Sequence, residues 1–193
     1  MFAVRIHGRG GQGAVTAAEM LSVAAFREGR HAQAFPTFGS ERTGAPVVSF
    51  CRMDDEPIRL REPITEPDAV IVQDPTLLHQ VDVFGGLRVG GYLLLNTSRG
   101  LAELGLADLA AGRAPGRTVT APATELAREH LGRPLPNAAL LGGFAALTGQ
   151  VSLDAVLAAI RDRFRGAVGE GNAAAATATY HHVVDQLRSP AHA

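Results

Sequence analysis

The sequence predicts an α/β fold, a single domain with a mostly parallel sheet flanked by helices, and three observations carry that prediction. Apolar runs of strand length alternate along the chain with stripes of helical period. Two of those segments, Asp68 to Asp74 and Tyr92 to Asn96, hold a continuous apolar run ending in polar residues, the pattern of strands buried on both faces. The first apolar run leads into Gly8, Gly10, Gly11 and Gly13 and then directly into a helical stripe, which makes the reading Rossmann-like.

Phe2 to His7 reads as the first strand. Ala17, Met20, Leu21 and Ala24 recur at i, i+3, i+4 and i+7, the buried stripe of a helix ending near Gly29. His31 to Phe35 reads as the second strand and Val47 to Met53 as the third, with the turn Asp54-Asp55 leading to a short partner strand at Ile58 to Leu60. Asp74 before Pro75 is placed to cap a short helix starting at Thr76. Thr118 to Ala121 is a further strand, and Asn137 caps a helix running to Thr148. Leu153, Val156, Leu157, Ile160 and Phe164 form a stripe capped by Ser152, and Tyr180, Val183, Val184 and Leu187 form another. Between them, Gly166 to Gly171 reads as a linker, and the alanines Ala173 to Ala176 as a segment that wraps the core or meets a partner. The domain is expected to span 1–188, with 189–193 a tail.

Composition removes several function classes. The chain has 193 residues, 46% hydrophobic content and a formal charge of -1, enough for one core and no basic field for nucleic acid. Every one of its 18 basic residues is Arg, so Schiff-base, pyridoxal-phosphate and P-loop lysine chemistry are ruled out. Cys51 is the one cysteine and lies in an apolar run, which fits a small buried residue and cannot build an iron–sulfur or zinc site of the usual kind. The seven histidines show no metal-ligand spacing. Neither a leader nor an apolar stretch of membrane-spanning length is visible, and the expected location is the cytoplasm.

Gly8, Gly10 and Gly13 match G-x-G-x-x-G, which lets backbone approach a phosphate and aims helix N–H groups at it. A dinucleotide site also wants an acid about 20 residues on, at the end of the second strand, and His31 to Pro36 contains none. The loop carries Arg9 and the polar Gln12 instead, which suit a phosphate-rich anion; the alternative is a tight turn that binds nothing. In the loop Pro36 to Pro46, Phe38 offers an apolar contact, Gly39 and Gly44 allow bending, and Arg42 either closes on a substrate or subunit or pairs with Glu41 on the surface. Asn137, as a cap at a sheet edge, can also donate to a ligand.

His7 to Gly13 with Thr16 to Glu19, Ala32 to Gly39, Glu41 to Val47, Asp55 to Arg59, Val72 to Leu78 and Gly132 to Gly142 together resemble the gamma subunit of 2-oxoacid:ferredoxin oxidoreductases, nearest the pyruvate branch. The likeness extends to about Phe164, with departures at Thr43, where many relatives carry a second Arg, and at Ala173 to Thr179. It implies a complex that converts a 2-oxoacid and coenzyme A to acyl-CoA and carbon dioxide and reduces ferredoxin. It also implies that alpha, beta and delta-type subunits carry thiamine diphosphate, magnesium and iron–sulfur clusters. No cysteine set and no Gly-Asp-Gly followed by Asn are present, so this chain alone is expected to hold no cofactor and no catalytic residue. The implied role is to help enclose coenzyme A, with Gly8 to Gly13, Phe38, Gly39, Arg42 and Asn137 as the candidate contacts. A free-standing dinucleotide-binding protein and a purely structural assembly subunit are the other readings.

Overall fold

A computed structural model describes residues 1–37 and 43–189. Six strands form one sheet: β1 (Phe2–Arg9), β2 (His31–Pro36), β3 (Pro46–Asp54), β4 (Ala69–Val72), β5 (Tyr92–Asn96) and β6 (Thr118–Ala121), in the order β2-β3-β1-β4-β5-β6. Pairing of β1 with β4, β4 with β5 and β5 with β6 is parallel, whereas β3 runs antiparallel to both β1 and β2. Strand β3 is thus the single reversed member of a mostly parallel sheet, and it inserts between the first two strands of the chain.

The helices are α1 (Ala14–Arg27), α2 (Ala107–Ala111), α3 (Ala123–Leu131), α4 (Asn137–Thr148), α5 (Leu153–Arg163) and α6 (Gly166–Arg188). Strand alternation sends Val4, Ile6, Cys51, Ile71, Leu94 and Val119 to one face, where α1, α4 and α6 cover them and α5 packs on those helices. On the other face Val70, Val72, Leu93 and Leu95 meet Leu77 of a 3-10 turn (Pro75–His79), Val83 and the partly buried Leu109 of α2. The sheet is therefore covered on both sides, by unequal layers.

The expected partner strand at Ile58 to Leu60 does not form. With β2 on one side of β3 and β1 on the other, no open edge is left to pair with, and Leu60 is exposed. The segment read as a linker, Gly166 to Gly171, is the first part of the 23-residue helix α6. Its glycines serve proximity: a methyl on Gly169 would overlap the Phe164 carbonyl oxygen, and one on Gly171 would lie 2.8 Å from that of His130. Ala173, Ala175 and Ala176 are buried, and α6 lies closely against α4. Helices α2 and α3 carry no sequence expectation; α3 has a short amphipathic stripe with only Ala123 and Ala127 buried, too small a signal to stand out.

Candidate functional site

Strand β1 delivers its glycines to the edge of the sheet where strands β4, β5 and β6 also end, and Gly13 starts α1. Gly11 and Gly13 adopt φ of 94° and 72°, a region that costs other residues backbone strain. The Gly13 carbonyl accepts from the Ala17 N–H at 2.9 Å, and a methyl on Gly13 would lie 2.5 Å from Asn137 Nδ2. Gly8 is small for the same reason, since a methyl there would come within 2.6 Å of Gln73 Oε1. Gly10 is tied to the neighbouring chain: its N–H donates to Ala45 O and its carbonyl accepts from Gly44 N.

The turn is organised by Asp74, which follows β4. Its Oδ2 accepts from Arg9 Nε at 3.1 Å and from Gln12 Nε2 at 2.8 Å, while Oδ1 accepts from the Thr76 N–H at 2.9 Å and its hydroxyl at 2.6 Å. Gln12 Oε1 accepts from the Arg9 N–H. The remaining Arg9 nitrogens donate to Gly44 O, Thr76 Oγ1 and Gln80 Oε1. Each Arg9 nitrogen thus has a partner within the protein, where the sequence offers the charge to an anion. Burial would raise the Asp74 pKa, but the bonds from Thr76 and Gln12 and the Arg9 charge outweigh it and hold this carboxyl below its ordinary value. As expected, Asp74 also caps the 3-10 turn.

Two clefts flank this turn, and Gln12 lines both. One, of about 340 Å³, is bounded by Gly11, Gly13, Thr16, Arg133, Asn137 and the apolar Phe164 and Val168. The other, of about 410 Å³, is polar and lies across Gln73, Asp74, Asn96, Thr97, Arg99 and Thr124. Asn137 is the first residue of α4, after Pro136 at the cap position, and its Nδ2 reaches Gly13 O at 3.5 Å. The expected N-cap is thus replaced by a side chain turned across to the start of α1. Arg133 forms no ion pair among the described residues and lines the same cleft as the N-terminal residues of α1 and α4. Sequence reading passed over Arg133, because nothing in Arg133-Pro134-Leu135-Pro136 shows that this loop folds back onto the glycine turn. Gln73, 1% exposed, keeps both amide atoms without a partner among the described residues. Phe38, Gly39, Glu41 and Arg42 lie outside the described residues.

Beside the turn, Arg5 Nε donates to His7 Nε2 at 3.0 Å inside the protein. Burial first, then the Arg5 charge, press the His7 pKa down to about 4 against a weaker pull from Asp82, so this imidazole is neutral. Cys51 is fully buried between β1 and β2, and burial pushes its thiol up to about 12.

A glycine turn at the carboxyl edge of a mostly parallel sheet, opening on a cleft lined by an arginine without an ion-pair partner among the described residues, defines a Rossmann-like α/β domain. The model of the family described as pyruvate ferredoxin/flavodoxin oxidoreductase matches residues 3–182, and the chain belongs to that family. It is a gamma subunit of the pyruvate/2-oxoacid:ferredoxin oxidoreductases. A Thermococcus kodakarensis protein named pyruvate/ketoisovalerate oxidoreductases common subunit gamma is 50% identical over 184 residues, covering 95% of this chain and 98% of the other. Pyruvate synthase subunit PorC of Methanothermobacter thermautotrophicus is 47% identical, covering 97% and 98%. The crystal structure of the pyruvate oxidoreductase subunit PORC from Thermotoga maritima matches with a TM-score of 0.78 at 35% identity, over 93% of this chain and 95% of that one.

Proposed function

We propose that this chain acts in a complex that oxidatively decarboxylates a 2-oxoacid, with pyruvate as the substrate, and that its glycine-turn cleft helps enclose coenzyme A. In this reading it works in the cytoplasm, packs on alpha, beta and delta-type subunits that carry thiamine diphosphate, magnesium and iron–sulfur clusters, and ferredoxin takes the electrons. The chain's own residues do not fit an iron–sulfur cluster, since its one thiol, Cys51, is enclosed and held protonated. The observation that carries the reading is the cleft shared by Arg133, the start of α1 and Asn137. A cation beside helix N-terminal N–H groups suits phosphate oxygens, and Phe164 and Val168 supply apolar wall for the rest of a long ligand.

The contribution of these residues is binding and orientation: the glycine turn admits close backbone approach, Arg133 meets negative charge, and the walls exclude water. Their test is the Arg133→Met substitution in the assembled complex. A raised KM for coenzyme A at unchanged 2-oxoacid KM supports the reading, and an unchanged coenzyme A KM sinks it. The competing view, a subunit that only assembles, is favoured by one observation, the internal neutralisation of Arg9 by Asp74. It expects Arg133→Met to leave coenzyme A kinetics alone.

A further inference from the structure

Asp74 does more than cap a turn. One carboxylate collects two donors from the glycine turn, Arg9 Nε and Gln12 Nε2, and two from Thr76, and so joins the end of β1 to the end of β4. Its side chain is only 14% exposed, which keeps these charge-assisted bonds from being screened away. Gln12 is held twice, by Asp74 through Nε2 and by the Arg9 backbone through Oε1, and it forms the wall between the two clefts. Gly11 and Gly13, on either side of Gln12, supply no side chain to fix the turn. The fixing therefore comes from across the sheet edge.

We propose that Asp74 is the positioning residue of the glycine turn, setting through Arg9 and Gln12 the geometry in which the Arg133 cleft receives coenzyme A. It touches no ligand itself. The inference rests on the reading of that cleft given above, and it assigns Arg9 the role of a strut in place of an anion contact.

The experiment uses the assembled complex carrying Asp74→Asn, which keeps the size, removes the charge and puts an NH2 donor where one of the two accepting oxygens stood. The coenzyme A KM rises about tenfold, the scale of one charge-assisted hydrogen bond, while kcat and the 2-oxoacid KM hold. The Kd for coenzyme A, titrated calorimetrically without 2-oxoacid, moves by the same factor. Because Asp74 acts through its partners, the added effect of Asp74→Asn collapses in a Gln12→Leu or Arg9→Met background. If Asp74→Asn assembles poorly, the single substitutions Arg9→Met and Gln12→Leu carry the test, and each raises the same KM and Kd.

Wild-type KM and Kd in Asp74→Asn overturn the proposal, as does an effect that multiplies undiminished with Gln12→Leu. In the fallback test, Arg9→Met and Gln12→Leu both at wild-type values overturn it. Arg133→Met separates the two ideas. A raised KM there with an inert Asp74 removes the positioning role and leaves the cleft reading standing; no change in either removes both.

Discussion

Gly142 of α4 meets the backbone of Ala176 in α6 so closely that a methyl group on Gly142 would overlap the Ala176 carbonyl oxygen. The next residue, Gly143, faces the Thr179 methyl and Val183 of the same helix. Two buried glycines on one helix and the buried alanines on the other thus set the distance between them.

Substituting Gly142→Ala forces the helices apart despite alanine's higher helix propensity. The expected loss is about 1–3 kcal/mol, the usual cost of overpacking. Thermal unfolding of the isolated chain checks it, with an unchanged or higher Tm counting against this packing.

Gly13→Ala carries two penalties, a positive φ of 72° and a methyl 2.5 Å from Asn137 Nδ2. Backbone strain alone is about 1–2 kcal/mol. Pairing it with Asn137→Ala relieves the contact and leaves only the strain, so the double substitution is more stable than the two single losses added together. Chemical denaturation of the four proteins measures this difference.

His7 titrates near 4 in the fold against 6.5 when free. A depressed pKa means that the unfolded chain binds the extra proton first, so stability is complete above 6.5 and declines as pH falls toward 4. The decline amounts to at most about 3 kcal/mol. Replacing His7→Gln flattens the dependence of Tm on pH in that window, and an unaltered slope would show that another group is responsible.

Cys51, with its thiol pushed up to about 12, stays unreactive toward a thiol reagent at neutral pH until the chain unfolds. Stopped-flow labelling in native buffer and in denaturant separates the two states, and fast native labelling would refute enclosure of the thiol.

Much of the fold was legible because local pattern and burial agree. The strands at 2–7, 31–35, 47–53 and 92–96, the α1 stripe and the Ser152 cap of α5, whose hydroxyl accepts from the Ala155 N–H, were all readable. Gly166 to Gly171 misled because glycine has two uses. Its freedom marks turns in a sequence, whereas here its small size serves helix contact, and only the tertiary neighbour distinguishes them. The site divides the same way. The glycine turn announced itself, but the fate of the Arg9 charge depended on Asp74, 65 residues away, and Arg133 became visible only when the α3–α4 connection closed over α1. Asn137 illustrates the limit of cap reasoning, since a neighbouring helix start drew its amide away from its own backbone.

Helix α6 is the last regular element among the described residues, and it supplies Ala173, Ala175, Ala176 and Val183 to the principal core while packing on α3, α4, α5 and β6. During translation the central strand β1 emerges before this wall, by roughly 10–35 s at ordinary elongation rates. Until then the part of the core that α6 closes, over α4 and β6, is open, and the growing polypeptide exposes that apolar surface to other nascent chains. A stop codon that deletes α6 would therefore yield insoluble product, and early shielding by a chaperone would improve recovery of the intact protein.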